Sequence, residues 1–306
     1  MDPTPELDLE TQEAPLSDAP KRQRLSTFEV TVIERVIETP DTVTLVYAAD
    51  RPLAAYQAGQ FLTIDPHQFA GLSGYVRYFE EQKGKKEPAR AYSMASTPAE
   101  PLAITIKEEP FVAGATRYPP LLSPYLVRSC LPGMRMTVTG FTGHYTLPKA
   151  MAAGSEQIVH LCAGSGIVPS YGIIKDVLAR HPHLKQTLIF GNKTAEDAIF
   201  GKHLDALADR HPSRFTYLQA LSREADAAKF GAHVMRGRVS RELIAEAVPD
   251  LGRARFFVCG PGITPFERKA AKEKGVPATP RFIETVLGYL KELGVDRKQI
   301  TQEAFG

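Results

Sequence analysis

At 306 residues the chain is long enough for two domains of ordinary size, each with its own core. With 43% hydrophobic and 24% charged residues it has the composition of a globular protein, and a net charge of +2 gives no electrostatic reason to expect nucleic acid or an acidic membrane as partner. No apolar run approaches the roughly 20 residues that span a bilayer.

The first stretch, "MDPTPELDLETQEAPLSDAPKRQRL", is acidic and proline-rich and lacks the apolar core of an export signal. Residues 1–26 are therefore predicted to be a disordered tail. Cys130, Cys162 and Cys259 lie far apart, with no C-x-x-C pair, which argues against an iron–sulfur cluster or structural zinc in this chain. A reducing, cytoplasmic setting is the default expectation.

From Thr27 the sequence alternates in short apolar–polar runs: "FEVTVIERVIE", "TVTLVYAA", "QFLTIDP", "ARAYSMAS", "LAITIKEE" and "RMTVTGFTG". Short strands punctuated by proline and glycine predict a small antiparallel barrel or sandwich over residues 27–152. Residues 67–88 are long for a connection and read as an inserted excursion with a charged tip. "SPYLVRSCLPGM" reads as one short helix, with Ser123 as N-cap, Pro124 in the first turn and Pro132-Gly133 as the stop.

The pattern changes near residue 153. "QIVHLCAG" and "KQTLIFGN" read as strands buried on both faces, "RFTYLQAL" and "RARFFVCGPG" as further strands, alternating with the helical patterns "VPSYGIIKDVLARH", "GKHLDALADRH", "SRELIAEAV" and "TPRFIETVLGYLKELG". Residues 153–306 are thus predicted to form a doubly wound parallel α/β domain. Within it, "LCAGSGIVPS" is a strand turning on Gly164-x-Gly166 into a helix, the arrangement that aims N–H groups at a phosphate. The dinucleotide fingerprint has a third glycine where Pro169 stands. In "RAYSMAS", Arg90 suits a pyrophosphate, Tyr92 an aromatic ring and Ser93 a ring nitrogen; an ordinary barrel strand would look the same.

The order "RAYSMAS", "GHYTL", "AGSGIVP", "LIFGNKT", "LSRE", "VCGPG" and terminal "EAF" resembles the ferredoxin–NADP reductase superfamily, and more narrowly the reductase components of bacterial oxygenase systems. The resemblance covers about residues 27–306. It implies a flavin-binding barrel before a nicotinamide-binding α/β domain. It implies that Arg90, Tyr92, Ser93, Lys107 and Ser123 hold FAD. Gly164, Ser165, Gly166, Pro169 and Asn192 would hold NAD(P)H, with both glycines letting the backbone approach its pyrophosphate. Pro169 is the family's usual residue there. Ser222, Arg223 and Lys229 would grip a 2′-phosphate, so NADPH is expected, with NADH possible. Cys259, Gly260 and Pro261 would lie beside the nicotinamide, and Ser93, Cys259, Glu303 and Phe305 would serve hydride transfer at the flavin edge.

Two segments depart from the family: the step from Gly114 to Ser123 is stretched, and residues 263–282 are longer and more basic than usual. The latter is either a docking surface for an acidic ferredoxin or a solvated helix. The function expected is hydride transfer from NADPH to FAD and then single-electron transfer to a separate iron–sulfur or haem protein, with no metal of its own. The alternatives are reduction of a small molecule such as free flavin or quinone, and a non-catalytic redox or assembly subunit.

Overall fold

A computed structural model describes residues 25–53, 55–111, 118–148 and 156–305. The predicted tail and the boundary at 152/153 fall outside these, apart from the tail's last two residues; Ser26 already belongs to the first strand.

Six antiparallel strands form the first sheet: β1 (Ser26–Thr39), β2 (Thr42–Ala49), β3 (Phe61–Ile64), β4 (Arg90–Ser93), β5 (Leu102–Lys107) and β6 (Arg135–Thr142), ordered β4-β3-β6-β1-β2-β5. β1 serves two partners, pairing β6 through Ser26–Thr31 and β2 from Val30 onward, with irregularities at Val32/Glu34 and Ile37/Thr39 that bend it. The two edge strands meet through a Met94–Ile104 bridge and an Ala95 N–H bond to the Ala103 carbonyl (2.8 Å). The sheet therefore closes, and of the barrel and sandwich alternatives the barrel is the one formed.

Helix α1 (Ser73–Lys83) lies within the 67–88 excursion, burying Val76 and Phe79. Helix α2 (Leu122–Ser129) corrects the predicted start: Ser123 is its second residue, not its N-cap. The Ser123 hydroxyl accepts the Glu109 N–H (3.3 Å), so it is engaged across the chain while buried Leu122 opens the helix.

The second sheet is parallel throughout: β7 (Gln157–Ala163), β8 (Lys185–Asn192), β9 (Phe215–Leu221), β10 (Val234–Arg236), β11 (Ala254–Pro261) and β12 (Ile300–Phe305), ordered β10-β9-β8-β7-β11-β12. On one face, α3 (Ile167–Arg180) and α4 (Gly201–Arg210) pack Ile174, Leu204 and Leu207. On the other, α5 (Arg241–Ala247) and α7 (Phe282–Glu292) pack Ile244, Val286 and Leu290. Helix α6 (Pro265–Glu273) buries none of its residues. Strand order runs outward from β7 in one direction through β8–β10 and in the other through β11–β12. The switch point of this doubly wound sheet therefore lies between the carboxyl ends of β7 and β11, where such sheets bind ligands. No helix among the described residues is long and apolar enough to cross a membrane.

Candidate active site

The glycine turn sits at that switch point. β7 ends at Ala163, Gly164–Gly166 make a 3-10 turn, and α3 begins at Ile167. Gly164 adopts φ 54°, and a Cβ there would meet nothing within 4 Å, so its open side accepts a close ligand. Gly166 is different. A Cβ on it would lie 2.2 Å from the Cys259 carbonyl oxygen and 2.7 Å from the Gly260 nitrogen. The missing side chain at Gly166 therefore makes room for the β11 backbone. Ser165 is half-buried between them. Pro169 is the third residue of α3, in the first turn, where a missing N–H costs no helical bond. The turn contacts β5 of the barrel as well as β8, β11 and β12.

On the far side of the switch point, Cys259 is in register with Cys162 of β7 and with Glu303 of β12. The thiol is wholly buried, and burial, with Cys162 and Glu303 nearby, holds its pKa well above the ordinary range. It packs as a neutral group. Glu303 is pushed up to about 7 by desolvation. Pro261 pairs with half-buried Phe305, and Gly260 is pressed against the Phe282 ring, where a Cβ would come within 2.6 Å. Glu284 steadies this loop: its carboxylate accepts the N–H of Ile263 (3.0 Å) and of Arg281 (3.1 Å).

On the barrel side, Arg90 and Tyr92 share one face of β4 and Ser93 ends it. The Ser93 hydroxyl is buried without a hydrogen-bond partner among the described residues. Such a group is rare and points to a ligand contact. Burial, then the Glu109 carboxylate, raise the Tyr92 phenol, which places Tyr92 near the Glu109–Ser123 contact. Arg90 donates to Glu87 (2.9 Å) and to the Pro88 carbonyl (2.8 Å). Lys107 instead pairs with Asp41 (2.6 Å) at the turn between β1 and β2. Next to Ser93, the Met94 carbonyl approaches α3, 3.2 Å from where a Cβ on Gly172 would stand.

Comparison with known proteins agrees with this arrangement. The family model described as "Oxidoreductase NAD-binding domain" matches residues 161–271. The ferredoxin reductase component of 3-ketosteroid-9-alpha-monooxygenase from Mycobacterium tuberculosis is 31% identical over 84% of this chain and 64% of its own length. One of the subunits of the 1,2-phenylacetyl-CoA epoxidase of Escherichia coli is 28% identical over 83% of this chain and 66% of its own length. The chain is thus similar to NAD-binding oxidoreductases and to a ferredoxin reductase component. It spans about two thirds or less of the length of these curated relatives. The FAD/NAD-binding domain of the Vibrio cholerae nitric oxide dioxygenase shares the fold, with a TM-score of 0.67 at 19% identity over 91% of this chain and 98% of that one.

The remaining residues expected to hold the dinucleotide lie at and beyond the ends of β8 and β9. Asn192 ends β8, buried, with neither its amide N nor its amide O bonded among the described residues. Ser222 gives its hydroxyl proton to the Asn192 carbonyl (3.2 Å). Arg223 is exposed beside it, and Lys229 lies 3.6 Å from Glu224. The sequence reading missed Arg236 and Arg238, both exposed at and just past the end of β10, where Arg236 is in register with Leu221. It also missed Glu284 and Glu87. Glu284 reaches the Ile263 N–H across 21 residues, and Glu87, although its partners Lys83 and Arg90 are local, is set apart by a burial that the sequence does not show. The residues fit the expected groups: a flavin against β4, where Ser93 is unpartnered, and a dinucleotide along Gly164 and Asn192.

Proposed function

We propose that the chain is an NAD(P)H-dependent flavoprotein oxidoreductase that takes hydride from NADPH, or NADH, onto FAD and passes single electrons to a separate iron–sulfur or haem protein. The observation that carries this reading is the position of the Gly164–Gly166 turn, which touches barrel strand β5 and the sheet strands β11 and β12 at once. A nicotinamide held there faces the barrel that would hold the flavin. A bound flavin supplies the exchange between two-electron and one-electron chemistry.

The chain's own residues supply position and electrostatics. Gly164 and the first turn of α3 hold the nicotinamide pyrophosphate. The flavin would be held by Ser93, whose unpaired hydroxyl is free to donate to its ring, by Tyr92 against the ring, and by Arg90 and α2 at its phosphates. Glu303, raised to about 7 beside the Cys259 thiol, is about half protonated at neutral pH, which lessens the negative charge facing the incoming dinucleotide. Phe305, half-buried at the end of β12, would cover the flavin edge. Arg223, Lys229, Arg236 and Arg238 give the adenosine end a cationic border, which supports NADPH over NADH. The names of the relatives, both parts of multicomponent oxygen-using systems, support a protein electron acceptor. We place residues 27–152 and 153–306 as the flavin and nicotinamide domains, and the protein in a reducing cytoplasm, where its three free buried cysteines remain thiols.

The visible spectrum tests the reading. Purified protein should show bands near about 370 and 450 nm, typical of bound flavin, that bleach with one anaerobic equivalent of NADPH. A colourless protein that takes up no FAD would overturn it.

A further inference from the structure

Two barrel segments, the long excursion over residues 67–88 and the stretch before α2, meet each other. Tyr118 lies against Phe79 (ring centroids 5.7 Å), beneath the Lys83 ammonium (4.8 Å), and its hydroxyl donates to the Gln82 carbonyl (3.3 Å). Tyr125 of α2 packs on Phe69 (4.9 Å). The excursion is therefore fastened to α2, not loose on the surface.

At its root is Glu87, a carboxylate only 1% exposed. A buried carboxylate requires partners. One oxygen takes the Lys83 ammonium and the other the Arg90 guanidinium (2.9 Å), while the Glu87 N–H is fixed by Glu80 (2.9 Å). Arg90 also donates to the Pro88 carbonyl (2.8 Å), so two bonds set the plane of its fork and its other donors stay available. With Glu80 beside it, the cluster holds two cations and two carboxylates, so Glu87 is the group that directly offsets both Lys83 and Arg90.

We propose that Glu87 is the positioning residue for Arg90: the 67–88 excursion carries a buried carboxylate that holds the guanidinium in line with the phosphates of a bound flavin nucleotide. This rests on the flavin reading above. Removal of the carboxylate leaves Lys83 and Arg90 as adjacent cations without their direct partner, and Arg90 turns out of line. The loss is confined to ligands that carry phosphate, since Tyr92 and Ser93 are untouched.

The test uses the full chain stripped of flavin, titrated with FAD and with phosphate-free riboflavin, reading flavin fluorescence. Glu87→Gln should raise the FAD Kd about ten- to a hundred-fold, the span of a charge-assisted hydrogen bond, and leave the riboflavin Kd within about twofold. In an Arg90→Ala background the same change should add nothing. Should Glu87→Gln fail to fold, Glu87→Asp keeps the charge on a shorter arm and should show the same FAD-selective loss, smaller in size. Equal losses for both ligands, or a Glu87 effect that persists without Arg90, would overturn the positioning role. An FAD affinity that falls with Arg90→Ala but not with Glu87→Gln would overturn it and leave the flavin reading intact. Wild-type protein that binds neither ligand would overturn the flavin reading itself.

Discussion

Glu303→Gln isolates the energetics of the proposed flavin edge. The folded chain holds the Glu303 carboxyl at about 7 against an ordinary 4.5, by desolvation alone. A raised carboxyl is protonated in both states below about pH 4.5, so it costs nothing there. As pH rises toward 7 the unfolded chain gives up the proton and the folded chain keeps it, so stability is lost across that window. The shift converts to about 3 kcal/mol at most, and partial solvent contact on β12 reduces this to about 2 kcal/mol. Glu267 and Glu284, whose pKa values are lowered, change stability in the opposite sense, so the wild type alone does not report on Glu303. The difference between wild type and Glu303→Gln does. Urea denaturation of both proteins between pH 4 and 8 should show the wild type losing about 2 kcal/mol relative to the variant as pH rises, most of it between about pH 5 and 7. A flat difference across that range would show that Glu303 titrates normally and that the edge is wet.

Other substitutions separate packing from binding. Gly166→Ala places a Cβ 2.2 Å from the Cys259 carbonyl and should cost about 3 kcal/mol or more in thermal melting. Gly164→Ala meets nothing within 4 Å and should cost only the about 1–2 kcal/mol of a left-handed φ, while weakening NADPH binding; similar stability losses for the two would contradict the assignment of their roles. Arg223→Ala should raise KM for NADPH far more than for NADH, and an equal rise would refute the 2′-phosphate role. With Cys130 and Cys162 raised to about 11 and 12 and Cys259 well above its ordinary range, a thiol reagent at pH 8 should label none of the three in native protein. Rapid labelling of one would show that the cleft opens.

Both sheets were legible because their strands carry the pattern of their surroundings: alternation in the barrel and continuous apolar runs in the parallel sheet. What escaped depended on contacts distant in sequence. β10 has three residues and only Val234 buried, too short for any period to show. β12 alternates between half-buried and exposed residues after Ile300, and its identity comes from its register with β11. Helix α1 buries just Val76 and Phe79 amid charge, so it read as an excursion. Helix α6 did leave a local signal, since Thr264 and Glu267 of "TPFE" form a capping box, but with no buried residue it lacks an apolar stripe. Ser123 shows the limit of local rules. Ser-Pro is a sound helix start, yet a hydrogen bond from Glu109 takes the hydroxyl elsewhere. At the glycine turn the spacing was visible and the reason for Gly166 was not, because Cys259 approaches it from 93 residues away.

That approach explains how the two halves of the site are held together. α3 is fixed along its length by three kinds of contact. Its entry at Gly166 abuts the β11 backbone, Gly172 faces the Met94 carbonyl of the barrel, and Ser170 takes part in a buried bond with Tyr145 (2.8 Å), itself edge-on to Phe257 of β11 (5.2 Å). One rigid helix therefore relates the strand that ends in Ser93 to the strand that carries Cys259. Two of its contacts are with backbone, which does not change rotamer, and the third is buried. The spacing between the proposed flavin and nicotinamide sites is thus set mainly by chain packing, and the exposed residues around them are left to set the proposed dinucleotide preference.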